Sequence, residues 1–578
     1  MEFRPPAGVP YPTFNANRIK MAKAFVIILA AFLLLSPSVR AEEYKDLKVG
    51  MSQFPSTLHP FFDEMVAKSL VMGGTIRPVT VNTPDWKAAC MLCTELPTYD
   101  NGRAKKETRK DGKKGIAATY TLKDDLFWGD GTPVTTKDIM FAWEVGKHPK
   151  SGVGNGEFFA KDIVAIDVKD ERSFTIHFDK EKCDFAPIND FYPLPSHIEK
   201  AIFEKDPEKY KAATAYNTDS TNAGLYLGPY RIGKVAAGSA ITLERNEQWK
   251  GTVPWFDSVT FRAIENSAAL QANLLAGDID YIAGELGMML DEALAFEKRL
   301  MSAKPGKFTA VYKPSLTYEH IDLNLDQPPF DDIRVRRALL LGLDREQLNR
   351  EIFGGKQPVA ISDINPLDTV YTTEVPLYPY DPAKAETLLD EAGWTKGGDG
   401  FRRNAKNEKL NITLSTTAGN QTREVIAQAL KSSWKKIGVD ATLDMKQARV
   451  LFGDVMRKRV YQGGVMYAWM SAPRNIPKTT LYSTMVPDAK NNYAGQNYSG
   501  YRSKTMDKII DDLDTVCGEK ENLALWHGLQ KLYAEDLPAL PLYYRADSFF
   551  MPVWLKGVEP TGHLNPTTLW IENWRVEP

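Results

Sequence analysis

Few residues in this 578-residue chain have the types and spacing of a reaction centre. Ser432-Ser433-Trp434-Lys435 has the Ser-x-x-Lys spacing that sets a lysine one helical turn from a serine nucleophile. Its usual companions are imitated by Ser220-Thr221-Asn222 and Lys150-Ser151-Gly152, but in reversed chain order, and Ser432 lies inside an amphipathic helical pattern. Cys90-Met91-Leu92-Cys93 has the spacing of a redox pair or half a metal site. There is no second such pair and the seven histidines are scattered, so a local structural disulfide or two inert thiols is expected there. With Cys183 and Cys517 the four cysteines allow three ways of forming two disulfides, and the sequence leaves the choice open. No Gly-x-Ser-x-Gly elbow, His-Glu-x-x-His pair or Gly-x-x-x-x-Gly-Lys-Ser/Thr loop occurs. The expectation is a chain that is not an enzyme, holds no metal or cofactor, and hydrolyses no nucleotide itself.

The elements around these residues read as scaffold. Tyr120, Leu122 and Leu126 alternate with polar neighbours, as in a half-buried strand that Phe127-Trp128 closes. Gly129-Asp130-Gly131-Thr132-Pro133 is turn chemistry, and Thr135 or Thr136 with Asp138 ahead of Ile139, Phe141 and Ala142 forms a capped helix start. Strand patterns recur at 174–178 and 240–244, and helical patterns at 268–276, 334–343, 382–392 and 424–437. Such mixing predicts α/β or α+β domains.

A chain this long exceeds one core, so two or more domains are expected. The formal net charge of −2, with 25% charged residues, marks no nucleic-acid surface. Lys20 to Lys23, the apolar run 24–35 and Val39-Arg40-Ala41 compose a secretory signal, with cleavage expected between Ala41 and Glu42. The run is too short for the roughly 20 residues of a membrane-spanning helix. Met21 offers a second start, leaving the translation of residues 1–20 open, and no cysteine follows the cleavage site for lipid attachment. A periplasmic protein that is not a lipoprotein is expected.

The stretch from Thr119 to Trp143 resembles the signature of the periplasmic solute-binding proteins of peptide-type ABC importers. Four further segments match that family in order. They are Gly228-Pro229-Tyr230-Arg231-Ile232 with Leu243 to Trp249, Leu274 to Asp280, Pro329 to Glu346, and Asp381 to Trp394. Arg334, Arg336 and Arg337 in the third are expected on a solvated helix face beside Asp331 and Asp332.

The resemblance implies an α/β, bilobal periplasmic-binding-protein fold with an enlarged first lobe and a ligand cleft between lobes. It divides the chain into a leader at 1–41, domain I at 42–308 and 538–578, and domain II at 309–537, with hinge crossings near Tyr312 and Leu540 to Tyr543. It further implies capture of a peptide or similar small organic ligand by lobe closure and delivery to an inner-membrane permease with a separate ATPase. A monomer is expected. The alternative is a binding module for a non-peptide ligand, such as an oligosaccharide or opine-like conjugate, used in uptake or sensing.

In peptide-binding members a Trp-x-x-Asp segment pairs its Asp with the peptide's amino terminus. Here Trp469-Met470-Ser471 is followed by Ala472, so that carboxylate is missing. Burying an ammonium without a paired carboxylate costs several kcal/mol, so another carboxylate substitutes or the ligand has no buried amine at that point. Arg474 suits a carboxylate or phosphate. Candidate ligand-binding residues are Ser52, Phe54, Tyr467, Trp469, Met470, Ser471, Arg474, Tyr498 and Tyr543, with Tyr493 and Tyr544 as further aromatics beside them.

Overall fold

Alternation in the sequence becomes alternation in burial. In the strand Ser173–Phe178, Phe174, Ile176 and Phe178 are buried and the residues between them half-exposed, as the two-residue period of a pleated strand demands. The helix Thr136–Lys147 starts at Thr135 with a complete capping box: the Thr135 hydroxyl accepts from the Lys137 N–H, and Asp138 accepts from the Thr135 N–H at 2.9 Å. Asp381 caps the helix Pro382–Glu391, whose first residue is proline.

The molecule is a computed structural model that describes residues 45–109 and 111–577. The expected leader at 1–41 and its cleavage site lie outside them.

The main strands in chain order are β1 (Asp46–Met51), β2 (Ala104–Thr108), β3 (Lys114–Thr121), β4 (Ile163–Val168), β5 (Ser173–Phe178), β6 (Tyr230–Ala236) and β7 (Ala240–Arg245). There follow β8 (Ser258–Ala263), β9 (Tyr281–Ile282), β10 (Phe308–Leu323), β11 (Asn411–Thr417), β12 (Asp440–Lys446), β13 (Gly464–Met470) and β14 (Ala539–Pro552). Ten of them form one mixed sheet in the order β12-β11-β13-β10-β14-β9-β1-β8-β7-β6, and β2-β3-β5-β4 form a second.

Two large cores lie on either side of the long central pair β10 and β14. One gathers residues between Leu47 and Leu286 with Phe549 to Trp574, and includes the four-stranded sheet. The other gathers residues between Met289 and Tyr543, around the helices 333–341 and 421–436. This is the bilobal α/β architecture, with β10 and β14 running from one lobe into the other.

The pairing of β10 with β14 breaks at the crossing. Pro314 faces Ala546 and Tyr318 faces Tyr544, so Ser315, Leu316 and Thr317 together stand opposite Arg545. Such a bulge bends the strand and re-aims its side chains. It sits where the two lobes meet.

One expectation is corrected. Arg334 is paired with Asp332 at the surface, but Arg336 is only 7% exposed and donates to the carbonyls of Phe330, Asp331, Asp536 and Leu537. Its guanidinium ties the helix 333–341 to the end of the helix Glu519–Asp536, because a buried fork of N–H donors needs several fixed acceptors. Arg337 likewise donates to the Glu535 carbonyl.

All four cysteines are paired. Cys90 is bonded to Cys93, and Cys183 to Cys517.

Candidate functional site

Between the lobes lies a cavity of about 660 Å³. The first lobe contributes Ser52, the segment from Pro60 to Ile76 in part, and Asp184 to Tyr192 in part; the second contributes Asn420, Arg423, Tyr467 to Met470 and the loop from Ala472. Arg545 and Asp547 reach it from β14, and Thr317 from the β10 bulge.

The lobes are held together around it. Asp63 of the first lobe pairs with Arg457 of the second at 3.1 Å and with Lys211 at 2.5 Å. Burial pushes the Asp63 carboxyl upward, and these two cations outweigh that and hold it below its ordinary value. Lys478 reaches across to Asp162 at 2.8 Å, and Lys180 to Asp514 at 3.2 Å. Backbone contacts join them, from the Gly495 N–H to the Gly154 carbonyl at 3.2 Å and from the Cys183 N–H to the Asp514 carbonyl at 2.7 Å.

One wall is the end of β13. Its outer edge pairs with β11 only at Gly464 and Val465, and the Met466 carbonyl accepts from the Thr416 hydroxyl. From Tyr467 to Met470, among the described residues, no strand pairs with that edge while the inner edge stays on β10. A strand edge of this kind can take an extended chain as one more strand.

The candidate residues divide. Ser52, Tyr467, Trp469, Met470, Arg474 and Tyr498 line the cavity, as does Tyr493. Tyr467 does so with its ring, since its hydroxyl donates to Asp322 at 2.8 Å and its ring lies 4.4 Å from that of His320. Ser471 is not part of the lining: its N–H donates to the Leu316 carbonyl at 3.0 Å and its hydroxyl to the Ala472 carbonyl at 3.4 Å. Phe54 packs on the first-lobe core. Tyr543 is buried in the second-lobe core against Phe353, and Tyr544 donates to the carbonyls of Ser362 and Ile364. Arg474 is exposed at the rim with φ of +52°, its N–H on Asp368 at 2.7 Å and its guanidinium on Asn522 at 3.1 Å.

The floor carries charges outside the candidate residues named from the sequence. Arg423, in the first turn of the helix Gln421–Lys436, makes a forked pair with Glu319 of β10 at 2.6 and 3.1 Å. Burial alone would raise Glu319, but Arg423 outweighs it and holds the carboxylate below its ordinary range. Arg545 stands 3.7 Å from the same carboxylate, and its Nε has no partner in the protein. Asp547, 1% exposed, has neither oxygen in a hydrogen bond of good geometry, and burial pushes its carboxyl up to about 7 against the Arg545 charge and the nearby Ser315 hydroxyl. Arg545-Ala546-Asp547, two charges at strand spacing inside an apolar run, was the available signal. Among the described residues no three His, Cys, Asp or Glu side chains converge as metal ligands, and no helix is long and apolar enough to cross a membrane.

The family model described as bacterial extracellular solute-binding proteins, family 5 Middle, matches residues 101–492. The oligopeptide-binding protein AppA of Bacillus subtilis is 26% identical over 458 residues, covering 78% of this chain and 79% of that one. The periplasmic oligopeptide-binding protein OppA of Salmonella typhimurium is 24% identical over 491 residues, covering 79% and 81%. The crystal structure of the oligopeptide-binding protein of Thermus thermophilus, complexed with a pentapeptide, superposes with a TM-score of 0.82 at 28% identity, covering 91% of this chain and 96% of that one.

Proposed function

The chain belongs to family 5 of the bacterial extracellular solute-binding proteins, and we propose that it captures short peptides between its lobes for an ABC importer. The observation that carries this reading is the unpaired edge of Tyr467 to Met470 facing a cavity enclosed by two lobes. Main-chain donors and acceptors on such an edge bind any extended peptide regardless of side chains, and an enclosed, part-aromatic cavity tolerates varied ones.

The mechanism is capture, closure, docking and release, with no covalent step. β10 and β14 are the crossings about which the lobes turn, so that domain I takes 42–308 with 538–578 and domain II takes 309–537. Ligand shifts the balance toward the closed form by touching both lobes at once. The mature chain begins at Glu42 after removal of a signal peptide, works in the periplasm as a monomer without a lipid anchor, and meets a permease whose ATPase is a separate subunit. Peptide-binding proteins of the kind named above support the ligand class.

Ala472 favours a second reading, a non-peptide ligand on the same scaffold, because the carboxylate expected there for an amino terminus is absent. Native mass spectrometry of the chain from Glu42 onward, purified without refolding, decides between them. A heterogeneous set of short peptides released on denaturation is the expected result. A single non-peptide mass overturns the peptide reading in favour of the second.

A further inference from the structure

Three charged side chains on the cavity floor have hydrogen-bonding capacity that the protein does not use. Asp547 offers both carboxylate oxygens, Glu285 its Oε2 and Arg545 its Nε, and all three residues line the cavity. Asp547 is 1% and Glu285 6% exposed. The other Glu285 oxygen is held by Thr567, accepting from its N–H at 3.0 Å and from its hydroxyl. Buried polar atoms are nearly always bonded, and leaving them unbonded is costly.

The group is aimed by the fold. Arg545 and Asp547 are two apart on β14 and so share a face, opposite the β10 bulge, where the Ser315 hydroxyl donates to the Arg545 carbonyl at 3.2 Å. Glu285 arrives from the short helix Gly284–Leu286 in the first lobe. Thr317 of the bulge pairs with Met470, so the floor lies beside the end of β13 and the turn leading to Ala472.

Charge decides what fits. Arg423 and Glu319 neutralise one another through their forked pair, which leaves Arg545 facing two carboxylates. With both carboxyls ionised the surplus is one negative charge, with acceptors on Asp547 and Glu285 and a donor on Arg545. A primary ammonium carries three donors and no acceptor, and matches the two carboxylates. The guanidinium, a donor only, requires an acceptor on the same ligand nearby. An ammonium with a carbonyl one carbon away satisfies both, and that is the first residue of a peptide.

Resting on the peptide reading above, we infer that Asp547 and Glu285 hold the ligand's primary ammonium group, with Arg545 on the adjoining carbonyl. The anchor thus comes from the hinge strand and the first lobe, away from the position of Ala472.

The test uses a randomised lysine-free pentapeptide library, its N-acetylated twin, and an N-acetylated library with one lysine per peptide. Each is offered to the full mature chain, and retained peptides are quantified by mass spectrometry. Wild type should retain the free-amine library at least tenfold over its acetylated twin, and Asp547→Asn should abolish that preference by lowering retention of the free-amine library. Glu285→Gln should reduce it by a smaller factor. Asp547-dependent retention of the lysine library would place the side-chain ammonium, rather than the terminus, on the same anchor. Equal retention of free and acetylated peptides by wild type overturns the anchor and leaves the peptide reading intact, and needs no variant. Retention of no library by wild type overturns the peptide reading and the anchor with it.

Discussion

Cys183 of the first lobe and Cys517 of the second, 334 positions apart, are joined by a disulfide across the lobe boundary. Cys183 follows β5, and Cys517 lies between the helices Lys504–Thr515 and Glu519–Asp536. The lobes are therefore tied at a point away from β10 and β14, and a hinge with a second tether opens less than a free one. Replacing both cysteines by serine should increase the radius of gyration of the ligand-free protein in small-angle scattering and speed ligand release. A loss of roughly 2–5 kcal/mol in stability should accompany it. Identical scattering curves for the two proteins would refute the tether.

Asp547 should make the empty protein less stable as pH rises. Its carboxyl ionises near 7 in the fold, against about 3.9 in an unfolded chain. Between those values the folded state holds the extra proton, so this residue's contribution falls as pH climbs through the window and is lowest above 7. Asp547→Asn should match wild type near pH 4 and exceed it by roughly 1–4 kcal/mol at pH 8. Ligand-free thermal melts across that range check it, and a gap independent of pH would contradict it. A variant that is more stable yet binds less marks a residue kept for its ligand.

Glu319 carries the opposite expectation. It is 0% exposed and serves Arg423 directly and Arg545 at longer range. Glu319→Gln strands two cations in the interior, which should cost about 3–5 kcal/mol. Adding Arg423→Met removes one of them and should recover part of that loss. Denaturant unfolding of the two variants measures both, and equal stabilities would show that the pair is not coupled.

Trp469 is half-buried at the end of the unpaired β13 edge and lines the cavity. Trp469→Ala should weaken binding by about 1–3 kcal/mol if the indole stacks on ligand. Calorimetry with the natural ligand reads this directly. An unchanged affinity would move the ligand away from the β13 edge.

Local structure was largely legible. The capping box at Thr135, the Asp381-Pro382 helix start and the alternation in β5 and β7 each depend on residues within a few positions of one another. Tyr312 and Leu540 to Tyr543, where the proposed hinge crossings lie, are strand residues of β10 and β14. The segment around Trp469 stands out in the sequence because its motif is contiguous, and it lines the cavity. Arg336 departs from the solvated face expected of it, since nothing near it in sequence announces that the carbonyls of Asp536 and Leu537 come to meet its guanidinium.

By itself the sequence determined the α/β elements, their caps, the family and the loss of a carboxylate at Ala472, all of which rest on residue type and short-range spacing. Tertiary structure alone decided that Cys183 meets Cys517, that Arg423 neutralises Glu319, and that Glu285 shares a cavity with Asp547. Periodicity tells which face of a strand is buried and says nothing of what will be packed against it. That is settled by closing long loops between distant elements, where burial and charge pairing must outweigh the entropy of bringing the chain together.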